Sequence, residues 1–425
     1  MRVLKIEGQH TLSGTIEVSG AKNSVVALIS AAILSQGIVV IDDVPDISDV
    51  EVLIKMLKSL NAKVSFVDNI LTIDTTELIF VPLIDEEVQK LRASYYLMGA
   101  MIGRFGEAIV GMPGGCYLGP RPIDLHLKGF EMLNIDIAND NGAYHLTSNG
   151  ITGARINLDI ASVGATINIV FAAVYANGTT YIENAAKEPE IIDVATLLNG
   201  MGAKITGAGT DVIRIEGVDK LNGCRHQIIP DRIVAGSYIL AGALLGDKLR
   251  VNNVIVEHLE AFLAKLQETG VELEIGEDFV VVSKIAKDFN PVTVKTMTYP
   301  GFATDLQQPF TVLMTQLQGM SLVHESIYSA RFKHIEELNR LGANIRLENA
   351  TAIINGPTNL QGTRVVATDL RAGFSMVLAG LVAEGITEIQ QIEHIERGYD
   401  HIVEKLQELG AKIWIEETEI TKINY

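Results

Sequence analysis

The apolar positions along the chain separate two kinds of helical segment. One kind is apolar nearly all round, as in "SVVALISAAIL" (residues 24–34), "ATINIVFAAVY" (165–175) and "GFSMVLAGLVA" (373–383). The other is apolar on one face only: Val50, Leu53, Leu57 and Leu60 recur at helical spacing with lysines on the opposite side. The first kind predicts central helices and the second peripheral ones. Short β-like runs such as "GTIEVSG", "ARINLDI" and "TRVVATD" precede the apolar helices, and "IVVID", "TTYIEN" and "ITEIQQ" follow them. The longest uncharged run, Ile160 to Ile182, contains Asn168, Asn177 and Gly178, and reads as a buried helix followed by a strand.

The pattern repeats. A mark resembling "LGAKI" recurs at Leu60, Leu133, Met201, Thr269, Leu341 and Leu409, at spacings of 73, 68, 68, 72 and 68 residues. A glycine series, Gly37, Gly106, Gly178, Gly246, Gly319 and Gly385, falls in step with it and is expected to end each apolar helix in a left-handed conformation. Each unit therefore reads as strand, apolar helix, strand, amphipathic helix, with the mark closing the second helix. Units of about 70 residues exceed solenoid size, so they should group into globular domains, three and three. The segment "DKLNGCRHQIIPDR" (219–232) is the expected boundary.

Composition changes this picture little. The 425 residues are 48% hydrophobic and 20% charged, an ordinary globular mixture of two or three domains. Charge excludes more: 34 Lys and Arg against 52 Asp and Glu leave a net charge of -18, which argues against nucleic acid or an anionic membrane as the main partner. No stretch offers about 20 uninterrupted apolar residues, and the N-terminus lacks a signal-peptide core, so no membrane insertion is expected. Two cysteines make no disulfide framework, so Cys116 and Cys224 read as free thiols of a reducing, cytoplasmic compartment.

An anionic ligand must then meet a local basic cluster, and the repeats supply one. At the start of the apolar helices stand Lys22, Arg92, Ser162, Arg232, Asp305 and Arg371; the loops before the second helices carry Arg121, Lys187, Arg331 and Arg397. A cation at a helix N-terminus opposes the helix dipole, and makes sense where an anion binds. Each arginine taken alone reads by default as a solvated side chain, and Asp305 and Asp369, each after a threonine, as N-caps. Repetition at equivalent places favours an anion site shared by the two halves. Cys116 lies in "GMPGGCYLGPRPIDL" (111–125), a glycine-rich loop rather than an apolar seat.

These residues resemble a known family. "SGAKNS", "LRAS", "PGGCYLGPRPIDLH", "ENAAKEPEI", "IPDRI", "ATDLQQP", "ESIYSARFKHIEEL", "ATDLRAG" and "HIERGYD" are similar to motifs of the UDP-N-acetylglucosamine enolpyruvyl transferases of the EPSP synthase superfamily, and the resemblance spans essentially the whole chain. It implies an α/β fold: a two-domain inside-out α/β barrel of six βαβ-type repeats, with domain 1 at 22–229, domain 2 at 1–21 and 230–425, and the active site in the cleft between them.

The implied reaction moves the enolpyruvyl group of phosphoenolpyruvate to the 3-hydroxyl of UDP-N-acetylglucosamine, releasing phosphate by addition and elimination. It is the first committed step of bacterial peptidoglycan synthesis and the target of fosfomycin. By resemblance Cys116 is the proton donor and can form an adduct, in a loop able to close and open. Lys22, Arg121 and Arg397 fall nearest the phosphate, Arg331 and Arg371 fit the carboxylate, and Arg92 joins the set. Guanidinium groups suit two converging anions because they bind bidentately and keep their charge.

Asp305 resembles the group that takes or orients the sugar proton, and Asn23 a sugar contact. Arg92, Arg121, Pro122, Ile123, Asp124 and Leu125, with Ser162, Val163, Gly164 and Ile327, resemble the nucleotide-sugar contacts. Asp231 and Asp369 would orient the arginines, and Glu190 would join a supporting polar network. The family often carries a lysine before "SVG"; this chain reads "IASVG" (160–164), so no charged contact is assigned there. No cofactor and no metal are implied: the nine histidines form no HExxH pattern, and no P-loop or GxGxxG follows a strand. No oligomeric state follows from the sequence. The alternatives are an enolpyruvyl transferase acting on shikimate 3-phosphate, whose family lacks the cysteine loop, a more distant RNA 3'-phosphate cyclase, and a non-catalytic UDP-sugar-binding regulator.

Overall fold

The computed structural model describes residues 2–84, 94–111, 123–140, 142–284 and 289–417. The chain divides into two compact units, a continuous one at 20–229 and a discontinuous one made of 1–19 and 230–425. Each has its own hydrophobic core.

Among the described residues there are six sheets. Those of the continuous unit have the orders β13(Arg225–Gln227)-β3(Ile38–Asp42)-β5(Ile70–Asp74)-β4(Lys63–Val67), β6(Glu107–Gly111)-β8(Ala143–Thr147)-β7(Asp136–Asp140), and β9(Arg155–Asn157)-β10(Thr179–Glu183)-β12(Val212–Glu216)-β11(Lys204–Thr206). The discontinuous unit has β2(Thr15–Glu17)-β14(Leu249–Asn252)-β16(Phe279–Val282)-β15(Leu273–Ile275), β17(Thr293–Lys295)-β18(Gly319–His324)-β20(Thr351–Gly356)-β19(Asn344–Glu348), and β21(Arg364–Val366)-β22(Ile386–Gln390)-β1(Arg2–Glu7)-β23(Lys412–Glu417). One plan runs through all of them: a short strand lies parallel to a longer one, and two antiparallel strands follow. In the three-stranded sheet the short strand is reduced to a parallel bridge between Leu83 and Val110.

The helices are α1 (Lys22–Ala32), α2 (Ser48–Ser59), α3 (Tyr95–Phe105), α4 (Asp124–Met132), α5 (Val163–Ala173) and α6 (Pro189–Gly200) in the continuous unit. The discontinuous unit has α7 (Arg232–Leu245), α8 (Glu260–Glu268), α9 (Thr304–Met314), α10 (His334–Arg340), α11 (Leu370–Val382), α12 (Glu393–Glu396) and α13 (Ile402–Glu408). Helices expected to be central are so: nine of eleven residues of α1, thirteen of fourteen of α7 and twelve of thirteen of α11 are buried. In α2, by contrast, a face of Asp49, Val50, Leu53, Met56 and Leu57 is buried. Helix α6 departs from the peripheral expectation, burying eight of twelve residues as it packs on α1. Among the described residues no helix is long and apolar enough to cross a membrane.

All six "LGAKI" marks fold alike. Leu60, Leu133, Met201, Thr269, Leu341 and Leu409 are helix C-caps. The next residues, Asn61, Asn134, Gly202, Gly270, Gly342 and Gly410, have φ between 65° and 110°. At the first mark the Asn61 N–H donates to the Lys58 carbonyl and the Ala62 N–H to the Leu57 carbonyl, both at 3.0 Å, which is the Schellman pairing that satisfies the last carbonyls of a helix.

The other glycine series behaves differently. Gly106 alone in it is a left-handed helix cap, while Gly37 and Gly246 do not have positive φ. Gly37 is held instead by close approach, since a Cβ there would lie 2.7 Å from the Gly223 nitrogen.

The strand in "GTIEVSG" forms, but it does not join the sheet of the helix it precedes. β2 pairs in parallel with β14, and β13, which precedes α7, pairs with β3. The units part at Ser19–Gly20, two residues earlier than expected, and at Ile229–Pro230. Packing explains the difference: a Cβ at Gly20 would lie 2.2 Å from the Asp43 carbonyl oxygen, and the Ala21 N–H donates to Ile229 O at 2.8 Å.

Candidate active site

In the discontinuous unit the buried helices α7, α9 and α11 each carry an aspartate at the start. Asp231 caps α7, accepting from the N–H groups of Ile233 (2.8 Å) and Val234 (3.0 Å). Asp369 caps α11, accepting from Arg371 and Ala372 at 3.0 Å each, and its other oxygen accepts from Gln308 Nε2 at 3.3 Å. Asp305 departs from the N-cap expectation. The cap of α9 is Ala303, and the Asp305 carboxylate lies within the first turn, bound by guanidinium groups. Arg331 Nη1 donates to Oδ1 at 2.6 Å, and Arg371 Nε lies 3.5 Å from Oδ2. A charged bidentate-capable donor holds a carboxylate more strongly than a free amide does, which accounts for the choice.

Both arginines are buried, with side chains 5% and 2% exposed. Burial opposes the Arg331 charge, but the carboxylates of Asp305 and Asp369 outweigh it and keep its pKa above the ordinary value. Burial acts on Arg371 in the same way and is likewise outweighed, by Tyr399, Asp305 and Asp231. The Arg371 guanidinium carbon sits 5.4 Å from the Tyr399 ring centroid, and that ring stacks on Phe374 at 4.3 Å. The Tyr399 hydroxyl pairs with Ser237 Oγ at 2.8 Å, and burial raises its pKa. The unit thus gathers Asp305, Arg331, Arg371 and Asp369, with Asp231 close enough to act on Arg371. Arg397 follows α12, half-buried, two residues before Tyr399.

Ile327 sits in a turn shaped by the buried Glu325, whose Oε1 accepts from the Ile327 N–H at 2.8 Å and the Tyr328 N–H at 3.0 Å.

In the continuous unit Lys22 opens α1, against the helix dipole, and its Nζ lies 2.8 Å from Asp49 Oδ2. Asn23 follows it, half-buried. Ser162 caps α5, its Oγ accepting from Ala165 N at 3.3 Å, so Val163 and Gly164 form the first turn. Gly164 backs onto an imidazole: a Cβ there would lie 3.0 Å from His126 Cε1. That ring is oriented by Asn168, whose Nδ2 meets His126 Nδ1 at 2.9 Å while its Oδ1 accepts from Gly99 N at 2.9 Å. Ile123 is the N-cap position of α4, and Asp124 and Leu125 are its first residues. Glu190 is buried in the first turn of α6. Arg92, Cys116, Arg121 and Pro122 lie outside the described residues. Cys224 is half-buried, and burial raises its pKa, which disfavours the thiolate. Among the described residues no group of three His, Cys, Asp or Glu side chains could hold a metal ion.

The sequence pattern of EPSP synthase (3-phosphoshikimate 1-carboxyvinyltransferase) matches residues 6–421. UDP-N-acetylglucosamine 1-carboxyvinyltransferase 2 of Geobacillus kaustophilus is 58% identical over 98% of this chain and 97% of its own length. This chain belongs to the UDP-N-acetylglucosamine 1-carboxyvinyltransferase family. The enolpyruvyl transferase NikO from Streptomyces tendae has a similar structure, with a TM-score of 0.90 and 27% identity over 97% of this chain and 98% of its own. EPSP synthase from Acinetobacter baumannii, 15% identical with a TM-score of 0.75 over 98% of this chain and 100% of its own, shares the fold.

Several residues of this carboxyvinyltransferase chain escaped sequence reasoning. Asp49, Tyr399, Ser237, Glu325 and Asn168 act through contacts that no local pattern announces. Glu325 and Tyr399 did lie inside motifs singled out for their resemblance, "ESIYSARFKHIEEL" and "HIERGYD".

Proposed function

We propose that this chain transfers the enolpyruvyl group of phosphoenolpyruvate to the 3-hydroxyl of UDP-N-acetylglucosamine with release of phosphate, in the cytoplasm, as a step of peptidoglycan synthesis. The observation that carries the reading is Asp305 held between two buried guanidinium groups, in a chain 58% identical over nearly its whole length to a UDP-N-acetylglucosamine 1-carboxyvinyltransferase. The reading includes the finer architecture, a two-domain inside-out α/β barrel of six βαβ-type repeats, three per domain. The substrates bind in the cleft between the continuous unit (20–229) and the discontinuous unit (1–19 and 230–425). The six-sheet plan and the buried helices support that architecture.

The chemistry follows from what each group can do. The sugar oxygen adds to C2 of phosphoenolpyruvate as the methylene carbon takes a proton from Cys116. The Cys116 thiolate then takes a proton back from the new methyl group as the C2–O bond to phosphate breaks, releasing phosphate and leaving the enolpyruvyl ether on the sugar oxygen. Arg331 and Arg371 take the substrate carboxylate. Both now hold Asp305, so an arriving carboxylate competes with it and frees Asp305 to orient or accept the 3-hydroxyl proton. Lys22, Arg121 and Arg397 neutralise the phosphate, Arg92 joins them, and fixed charges aimed at developing charge supply much of the rate. Asn23, the residues 121–125, Ser162–Gly164 and Ile327 seat the nucleotide sugar, while Asp231, Asp369 and Glu190 support the charged groups. Substrates of this kind need no cofactor.

The test is phosphate release by the purified protein with phosphoenolpyruvate and either UDP-N-acetylglucosamine or shikimate 3-phosphate. Release is expected with the nucleotide sugar alone. Binding of the sugar with no release would replace this reading by a regulatory one.

A further inference from the structure

The buried Glu325 carboxylate divides its bonds between two structures. Its Oε1 accepts from Thr296 Oγ1 (2.7 Å) and from the Ile327 and Tyr328 amides, fixing the turn that carries Ile327. Its Oε2 accepts from Thr304 Oγ1 at 2.8 Å. Thr304 is the residue before Asp305, and its oxygen accepts from Arg331 Nη1 at 3.1 Å, the same nitrogen that donates to Asp305 Oδ1 at 2.6 Å. A hydroxyl has one proton to give. Because Glu325 takes it, Thr304 meets Arg331 with a lone pair, and Nη1 is held between two acceptors. A carboxylate this buried stays favourable only with its bonds satisfied, so the arrangement is rigid in one sense of polarity.

We propose that Glu325 is a positioning residue for the transfer reaction: through the Thr304 hydroxyl it fixes the Arg331 guanidinium, and thereby the direction in which Asp305 faces the sugar hydroxyl. The inference rests on the role given to Asp305 above. Its two arms should separate in kinetics. In Glu325→Gln the amide oxygen can still accept from the turn, but the amide NH2 donates toward Thr304, which then receives two donors and has no acceptor for its own proton. Thr304→Val removes the same link at constant shape. Thr296→Val weakens only the arm to the turn.

The experiment is steady-state phosphate release by the full chain with both substrates varied. Glu325→Gln and Thr304→Val are each expected to lower kcat about 10–100-fold while KM for UDP-N-acetylglucosamine moves less than about threefold. Thr304→Ser, which keeps the hydroxyl, should restore kcat to within about threefold of the parent. The double variant Glu325→Gln/Thr304→Val should lose little beyond the worse single one, since both cut one relay. Thr296→Val should instead raise KM for the nucleotide sugar with kcat largely kept. The inference is overturned if Thr304→Val leaves kcat within about twofold of the parent, if Thr304→Ser is as impaired as Thr304→Val, or if the losses multiply in the double variant. An unmodified protein that releases no phosphate would overturn the functional reading instead, so the two failures are distinct. Should Glu325→Gln fail to fold, the Thr304 pair decides alone.

Discussion

At the scale of single residues, cations placed against helix dipoles survive here because carboxylates of the same chain answer them: Asp49 for Lys22, and Asp305 for Arg331 and Arg371. His334 shows what happens without such an answer. It is fully buried at the start of α10, its ring near-parallel to Phe332, and neither ring nitrogen has a hydrogen-bond partner among the described residues. Burial, together with the nearby Arg331 charge and against the pull of Asp369, lowers its pKa to about 4. The folded protein therefore holds His334 neutral, whereas the unfolded chain protonates it near the ordinary pKa of about 6.5. Between these values the unfolded state binds the extra proton, so stability is full above pH 6.5, falls as pH drops toward 4, and levels off below. At pH 5 the loss from this group is about 2 kcal/mol. His334→Phe keeps the stacking and removes the titration, so its stability relative to the parent should be greater at pH 5 than at pH 7. Urea midpoints at the two pH values measure this, and an unchanged pH slope would refute it.

At the scale of elements, backbone conformation decides what a glycine is worth. Gly202 follows a helix cap with φ 110°, and the nearest atom to a Cβ there is Asn222 Nδ2 at 3.9 Å, so Gly202→Ala meets only backbone strain, about 1–2 kcal/mol. Gly20→Ala must displace a carbonyl oxygen 2.2 Å away and should cost about 3 kcal/mol. Denaturant unfolding that ranked the two in reverse would show that close approach, not φ, had been misjudged. The "LGAKI" marks were legible in sequence because a helix end is local: cap, left-handed residue and next strand lie within five positions. The apolar and one-faced helices were legible by the same reasoning. The exchange of β2 and β13 was not, since three-residue strands carry too few alternating positions to specify a partner more than 180 residues away. At the site, residue types pointed to Asp305, Arg331 and Arg371, whereas Glu325, Asn168 and Asp49 depend on distant donors. Helix α6 misled for a related reason: the partner that buries its second face, α1, is remote in sequence.

At the scale of the whole molecule, the division of the chain makes the two units unequal as folding entities. All three sheets of residues 20–229 close within that segment, so it should fold alone with one cooperative thermal transition. Residues 230–417 cannot do the same. They lack β2, and they lack β1, the inner strand between β22 and β23, together with Leu4, Ile6, Leu12, Ile16 and Val18 from the core. At about 2 kcal/mol for each buried side chain, that is roughly 10 kcal/mol, as large as the whole stability of a typical domain. The exposed edges of β22 and β23 would add a tendency to aggregate. The register suggests the remedy: Arg2 stands opposite Glu417 in an antiparallel ladder, so a turn of two to five residues, the usual length for a hairpin loop, can join them. A polypeptide running 230–417, turn, 2–19 should regain a cooperative transition that 230–417 alone lacks, measured by circular dichroism melting and gel filtration. If the shorter piece melts as sharply as the permuted one, β1 is an accessory of that sheet and not the strand on which it depends.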